Sequence, residues 1–401
     1  MTSNAARIRC RNDLDMYETL LEHREVKKAN EAIARHEDAT PTGIRRRLMA
    51  TSVRLSPRMA PDVHRMANDC AERLEIDTPH ELYAYAGPQF NAACFKPEDD
   101  RVCVMFSSGL LEAFEGAELK FVVGHELGHH VYRHHDIPIG MLLRGREKPE
   151  PRLALELFSW SRYAEISADR AGAFCAEDIH GVSRALFKLA SGLSGRTIRF
   201  ELEDFLAQVD AMQVEDDEPG RGAPAEDWFS THPFSPLRVK ALQLYDHSNL
   251  ARPDGYDIDE LETRIQGLMA LMEPSYLDGR TVTAESMRRL LFAGGLLVAY
   301  ADGDVDSRER ETFEKFFGDG ALSEDLNVAA IRDDLDRRIQ RVKELATTAQ
   351  CIQVLRDICV IARAEGKTTE AERTILEHIA RGLAVAPGHV CQALDCDYEL
   401  D

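Results

Sequence analysis

Two histidines and a glutamate in His125-Glu126-Leu127-Gly128-His129 have the residue types and spacing needed for metal-dependent hydrolysis. Residues four apart on an α-helix lie about 40° apart around its axis, so the two imidazoles face one side and can bind one metal ion together. Glu126 stands next to the first histidine, where a carboxylate can take a proton from a metal-activated water. The segment therefore predicts a catalytic metal centre.

A third ligand is expected from the segment that begins at Glu165, on a second predicted helix over residues 154–176. Three protein ligands leave a fourth position open for water and substrate, as in catalytic rather than structural zinc sites. Asp169 lies four residues after Glu165 on the same helix face, where it can accept the free N–H of a ligand histidine. A structural zinc site and the absence of any metal are the alternatives.

Other histidines are predicted to play different parts. The apolar pattern predicts one long helix over residues 118–135. On such a helix His130, His134 and His135 turn away from the two candidate ligands and are expected to be packing or surface residues. His232 precedes a proline at a predicted helix start, where it is well placed to enter a cleft.

Composition excludes several classes of function. The 401 residues carry a formal net charge of -21, which argues against nucleic acid or an anionic membrane surface as the main partner. The start of the chain has no apolar core of signal-peptide type, and no apolar stretch reaches the roughly 18 residues of a transmembrane helix. The nine scattered cysteines are expected to be buried or free thiols in a reducing compartment. A cytoplasmic location is predicted.

Three regions follow one another along the chain. Residues 1–48 are charged and predicted to form an N-terminal helical extension, to which no chemistry is assigned. Residues 49–275 mix helices with short strands and are predicted to form an α+β domain that is mainly helical with a small sheet. Residues 276–401 are predicted to form an all-α domain. The expected strands cover 81–86, 90–95 and 101–106.

The C-terminal region contains a degenerate repeat, because residues 301–310 match residues 364–373. Each copy ends one helix with a glycine-containing turn and begins the next with a capping box. The predicted pairs are Asp306 with Glu309 and Thr369 with Glu372.

One copy also suggests a calcium loop, since Asp302, Asp304 and Asp306 alternate. The EF-hand pattern fails, because Ser307 replaces the required glycine and Phe313 replaces the bidentate glutamate. Turn and capping chemistry is preferred for these aspartates, and calcium binding is the weaker alternative.

From about residue 57 to 245 the chain resembles the zinc metallopeptidases that include the prenyl-protein (CAAX) processing enzymes and the HtpX-like heat-shock proteases. Four separate segments match in the family's order. They are Asn91-Ala92, Gly124 to His129, Glu165 to Gly172, and Thr231 to Arg238. The resemblance implies a zincin-type (gluzincin) fold with one zinc ion per chain.

The same resemblance implies a role for each matching residue. His125, His129 and Glu165 are the implied zinc ligands, and Glu126 is the implied base and acid. His232 is implied to steady the oxyanion, and Arg238 to support the active site. Asn91 and Ala92 match the family's substrate-binding edge strand.

The last 120 or so residues resemble the TerB-like domain of bacterial tellurite-resistance and stress proteins, which is all-helical. Together the two resemblances favour a soluble bacterial zinc endopeptidase whose helical accessory domain serves targeting or regulation. The expected partners are a protein or peptide substrate and a further protein bound through the C-terminal domain. The alternative is a non-catalytic, zinc-containing binding or chaperone-like module; an intact Glu126 argues against it, because a binder needs no base there.

Overall fold

A computed structural model of the chain describes residues 3–39, 43–144, 149, 151–195, 198–216, 231–272, 282–301, 305, 310–311, 313–314, 317, 327–363, 368–386 and 388–395. The chain forms two compact units. Unit 1 consists of residues 1–209 and 230–262, and unit 2 of residues 210–229 and 263–401. The predictions for Asp302, Asp304, Asp306 and Glu309, and the predicted boundary at residue 275, fall outside the described residues.

The N-terminal region of unit 1 is helical, as its sequence predicts. Its elements are α1 (Asn4–Ile8), α2 (Arg11–Glu22), α3 (Arg24–Ala39) and α4 (Ile44–Thr51). Apolar side chains of α2 and α3, among them Tyr17, Leu20 and Val26, form one buried cluster with Leu157 and Trp160 from the main domain. The extension therefore shares a hydrophobic core with the region that carries the metal motif.

A four-stranded sheet follows, with strand order β1-β2-β4-β3. The strands are β1 (Val53–Leu55), β2 (His80–Tyr85), β3 (Ala92–Glu98) and β4 (Arg101–Ser107). β2 and β4 run parallel and the other neighbours antiparallel. Val102, Val104 and Phe106 alternate along β4 and are fully buried, which fixes the pairing register. β3 lies at one edge of the sheet and packs against the helix with the metal motif.

Helices make up the rest of unit 1. They are α5 (Pro61–Arg73), α6 (Ser108–Ala113), α7 (Gly116–Val131), α8 (Ile139–Arg144), α9 (Pro151–Ala176), α10 (Ile179–Ser191), α11 (Leu202–Asp216), α12 (Ser235–Asp246) and α13 (Ile258–Ala270). α11 and α13 each extend past the division between the units. The most extensive packing is between α7 and α9.

Unit 2 is all-helical in its described part, as predicted. Its further helices are α14 (Val282–Ala299), α15 (Val328–Asp333), α16 (Leu335–Leu345), α17 (Thr348–Ala362), α18 (Glu370–Gly382) and α19 (Gly388–Asp395). α14 is the central helix, and its buried apolar residues pack against α16, α17 and α18. The predicted capping box of Thr369 and Glu372 is confirmed at the start of α18.

Two general features complete the fold. Among the described residues, no helix combines the length and the apolar character that crossing a bilayer requires. The described cysteines are all free thiols, and all but Cys391 are buried.

Candidate metal centre

The candidate metal centre lies where α7 and α9 pack closely against each other. Gly124, Gly128 and Gly172 lie at the contact, where side chains would not fit. A Cβ atom on Gly128 would lie 2.9 Å from the Cβ atom of Ala171 and 3.1 Å from the Cα atom of Ala168. The absence of side chains at these glycines lets the two helices bring their polar residues together.

The three residues expected to bind metal lie in one cluster. The Nε2 atoms of His125 and His129 are 3.1 Å apart. Oε1 of Glu165 lies 3.3 Å from Nε2 of His129, and Oε2 of Glu165 lies 3.6 Å from Nε2 of His125. The structure thus brings together two imidazoles and a carboxylate that are distant in sequence.

The cluster fits a zinc ion on three grounds. Ligands arranged tetrahedrally at about 2.1 Å from zinc lie about 3.4 Å from one another, which the observed separations bracket. Oε2 of Glu165 is buried and accepts no hydrogen bond, although the guanidinium of Arg238 lies 3.4 Å away, so this oxygen can still take a metal ligand's role. Two nitrogens and one oxygen from three residues are also a donor set typical of catalytic zinc.

Asp169 and Arg238 hold His125 in place. Oδ1 of Asp169 lies 2.9 Å from Nδ1 of His125, so this nitrogen carries the ring proton and Nε2 is left to face the cluster. Arg238 donates two hydrogen bonds to the same carboxylate, at 2.8 and 2.6 Å. Asp169 is fully buried and Arg238 nearly so, which keeps this arrangement away from solvent.

His134 is not where the sequence predicted it, and the expectation that it turns away from the ligands is wrong. α7 ends at Val131, and Arg133 adopts a left-handed conformation with φ of 60°. This turn folds the chain back, so Nδ1 of His134 lies 2.8 Å from Nδ1 of His129. A continuous helix to residue 135 would have separated the two rings, and the early helix end is what the sequence analysis missed. His130 and His135 are partly exposed.

Asp13, from the N-terminal region, also reaches the centre, and the sequence analysis assigned it no role. Its Oδ2 atom lies 3.1 Å from Nε2 of His134. The Asp13 side chain is fully buried, which places a charged group deep in unit 1. Nothing in the local sequence marks this aspartate among 70 acidic residues.

The charges around the cluster favour a cation. Burial alone would raise the pKa of Glu165, but the facing His232 and His129 lower it well below its ordinary value. Burial also acts against the ionised form of Asp169, but Arg238 outweighs it and lowers the pKa of Asp169. Burial disfavours a charged His129, yet the hydrogen bond and charge of Glu165 raise the pKa of His129. The buried carboxylates of Glu126, Glu165 and Asp169 thus surround one permanent cation, Arg238, an imbalance that a divalent ion would reduce.

The remaining predicted site residues surround the cluster. Nε2 of His232 lies 3.4 Å from Oε1 of Glu165, and its side chain is 63% exposed. Glu126 is largely buried on α7. Its negative charge helps to raise the pKa of His129, although burial and Glu165 have larger effects on that pKa. Asn91 and Ala92 lie at the start of the edge strand β3, where the backbone N–H of Asn91 donates to Oγ of Ser107.

Two family models match the chain. "Peptidase family M48" matches residues 57–144 and 152–246, and "Tellurite resistance protein TerB" matches residues 288–394. The chain thus contains an M48 metallopeptidase domain followed by a TerB domain, the architecture that the sequence predicted. No solved structure matches the chain significantly.

Curated relatives match about half of this chain. The chain is 27% identical over 218 residues to "Plastoglobule-localized metallopeptidase 48, chloroplastic" of Arabidopsis thaliana. This match covers 50% of this chain and 61% of the relative. It is 26% identical over 234 residues to "Protease HtpX homolog" of Burkholderia mallei, which covers 49% of this chain and 77% of the relative. "Protease HtpX homolog" of Burkholderia thailandensis is 27% identical over 219 residues, or 46% and 73% of the two chains. These relatives support a metalloprotease.

Proposed function

We propose that this chain is a zinc-dependent endopeptidase that hydrolyses peptide bonds with Glu126 as the general base. The observation that supports it most directly is the convergence of the Nε2 atoms of His125 and His129 with the Glu165 carboxylate. Each histidine is engaged at Nδ1, so its other nitrogen remains available for a metal. The M48 match adds that the same residues lie in a metallopeptidase domain.

Each residue has a separate task in the proposed reaction. Zinc held by His125, His129 and Glu165 would polarise the scissile carbonyl and acidify a water molecule. Glu126 accepts a proton from the attacking water and passes it to the leaving amine. His232 donates a hydrogen bond to the oxyanion that develops on the carbonyl.

The surroundings of His232 are suited to this task. Nδ1 of His232 lies 2.9 Å from Oγ1 of Thr231. When that hydroxyl donates, the neutral ring carries its proton on Nε2, the nitrogen that faces Glu165. Ser161 donates to the backbone carbonyl of Thr231 and fixes this segment to α9. His232 therefore presents an N–H donor beside the cluster from a position that solvent and substrate can reach.

The substrate is proposed to bind in extended form along β3. Its open edge offers backbone groups to an added strand, a mode of peptide recognition that tolerates many side chains. Asn91 and Ala92 lie where this edge begins, and the Asn91 side chain donates to the Tyr85 hydroxyl. The TerB domain is proposed to serve targeting or regulation. The cytoplasmic location remains a prediction.

Cleavage of an unbiased peptide library, read by mass spectrometry, tests the proposal. Glu126→Gln keeps the size of the side chain but removes the proton acceptor, so zinc content should stay unchanged while cleavage falls by roughly 10² or more. Glu112→Gln, at an exposed carboxylate on α6, is the matched control and should cut like the unmodified chain. Equal cleavage by Glu126→Gln would refute the mechanism. If neither the unmodified chain nor Glu126→Gln cuts any peptide, the binding-module alternative is favoured.

A further inference from the structure

A chain of hydrogen bonds leads from His129 to the N-terminal helix α2. Nδ1 of His129 lies 2.8 Å from Nδ1 of His134, and Nε2 of His134 lies 3.1 Å from Oδ2 of Asp13. A hydrogen bond between two imidazole nitrogens needs one donor and one acceptor. Which of the two Nδ1 atoms carries the proton therefore depends on whether Nε2 of His134 donates or accepts a hydrogen bond.

Asp13 determines the role of Nε2 of His134, because an ionised carboxylate only accepts hydrogen bonds. Besides His134, three side chains donate to its two oxygens: Arg9 at 2.7 and 3.2 Å, Trp160 at 3.1 Å and Ser167 at 2.7 Å. A carboxylate surrounded by these donors and fully buried has no proton of its own to offer. Nε2 of His134 must therefore be the donor to Asp13.

The direction of the other bonds then follows. A neutral His134 that donates from Nε2 has a lone pair on Nδ1 and accepts there. His129 consequently donates from Nδ1 and keeps its lone pair on Nε2, the atom that lies within the ligand cluster. We propose that Asp13 acts through His134 to fix the tautomer and orientation of His129, which makes both of them positioning residues of the metal centre.

The N-terminal region is attached firmly enough for this role. Ser167 accepts a hydrogen bond from the backbone N–H of Cys10 at 3.0 Å and donates to Asp13 from the same hydroxyl. Ser167 lies on α9 between Glu165 and Asp169, so one helix presents ligand and support to the cluster on one side and holds α2 on the other. Tyr132 donates from its hydroxyl to the carbonyl of Ala5 at 3.0 Å. Residues before the family-matched region are thus part of the proposed metal centre.

This inference rests on the proposed metal centre, but its test does not require cleavage. Zinc affinity is measured by competition with a chromophoric chelator for the unmodified full-length chain, Asp13→Asn, His134→Leu and His134→Gln. Asp15→Asn, an exposed aspartate on α2, is the matched control. Asp13→Asn and His134→Leu should each weaken zinc binding roughly 10- to 100-fold. His134→Gln should stay within a few-fold of the unmodified chain, because its amide can accept from His129 and donate to Asp13.

The ring proton itself provides the second measurement. Proton–nitrogen correlation spectra of the metal-free protein, at a pH that leaves the rings neutral, should show His129 protonated on Nδ1 and His134 on Nε2. In His134→Leu, His129 should populate the other tautomer, and in His134→Gln it should not. A His129 tautomer that is the same in His134→Leu, or equal zinc affinity in all variants, would overturn the proposal. Equal losses in His134→Leu and His134→Gln would show that His134 only fills space. A result in which zinc binds as expected and no peptide is cut would count against the proposed function alone.

Discussion

The two ligand histidines are held at Nδ1 by different means. His125 is held by a carboxylate that Arg238 fixes with two hydrogen bonds, whereas His129 is held by another imidazole. In both cases this contact is proposed to keep the ring proton on the nitrogen that faces away from the cluster. Glu165, by contrast, has one buried oxygen without a hydrogen bond. At the residue scale, protein hydrogen bonds therefore orient the two histidines more completely than they orient the Glu165 carboxylate.

Removal of that carboxylate should remove the metal. Glu165→Ala leaves two imidazoles to hold a divalent ion, which is too few for a stable catalytic site. We expect about one zinc per chain in the unmodified protein after gel filtration and a small fraction of that in the variant, measured by elemental analysis. Glu112→Ala is the control for a lost surface carboxylate. The same zinc content in Glu165→Ala and the unmodified chain would exclude Glu165 from the ligands.

A buried histidine in unit 2 should make its stability depend on pH. Burial lowers the pKa of His389 to about 4. In the unfolded chain a histidine titrates near 6.5, so between these values only the unfolded state binds the proton. The stabilising contribution of the neutral ring is complete above pH 6.5 and is lost as the pH falls toward 4.

Acidification from pH 6.5 to 5.5 should therefore cost about 1 kcal/mol through this residue. His389→Gln should remove that part of the pH dependence, whereas His378→Gln, at an exposed histidine of the same unit, should not. Urea unfolding followed by circular dichroism at both pH values measures the difference. An unchanged pH dependence in His389→Gln would contradict the assignment.

At the scale of elements, the distance between α7 and α9 decides whether the ligands meet. His125 and His129 come from one helix and Glu165 from the other, so a small separation of the helices moves the carboxylate away from both imidazoles. Gly128 lies inside the metal motif itself and faces Ala168 and Ala171. Its missing side chain is therefore a requirement of packing.

Gly128→Ala should destabilise unit 1 by about 1–3 kcal/mol, because an added methyl group overpacks a tight contact. Zinc affinity should fall with it, since α9 must move. Gly140→Ala is the matched control, because a Cβ atom there meets nothing within 4 Å. It should be neutral or slightly stabilising, given the better helix propensity of alanine. The comparison uses thermal unfolding and chelator competition; a neutral Gly128→Ala would show that the two helices can separate without cost.

At the scale of the whole molecule, the proposed residues of the metal centre all lie before the TerB domain. The last of them is Arg238, and the TerB match begins at residue 288. A chain that ends at residue 272 retains α13 and with it Glu262, which pairs with the buried Arg170 in unit 1. We expect this shortened chain to fold, to bind zinc and to cut short peptides.

Cleavage of a folded protein substrate should distinguish the roles of the two domains. If the TerB domain recruits substrates or restricts access, the shortened and full-length chains should cut short peptides at similar rates and the folded substrate at different rates. Both rates are read by mass spectrometry, with zinc content as the control for folding. Loss of zinc or aggregation of the shortened chain would show that the domain boundary at residue 275 is misplaced.

The sequence by itself determined the candidate residues for chemistry and the order of most elements. A spacing of four on a helix makes His125 and His129 neighbours whatever surrounds them, so their grouping could be predicted. The strands and the capping box of Thr369 were also predictable, because they depend on residues a few positions apart. Pro57 and Pro61 could each have opened the helix α5, which begins at Pro61. Two prolines so close together both suit a first helical position, and local sequence does not choose between them.

Only the tertiary structure decided what supports the ligands. His134 meets His129 because Arg133 turns the chain in a left-handed conformation, which a non-glycine residue adopts only when its surroundings favour it. Asp13 reaches His134 because α2 packs on α9. In this contact Asp13 meets Trp160, which lies 147 positions away in the sequence. Such contacts are selected by the burial of whole helix faces and not by local patterns. The periodicity of the sequence therefore identifies the proposed ligands, and the fold supplies the groups that are proposed to orient them.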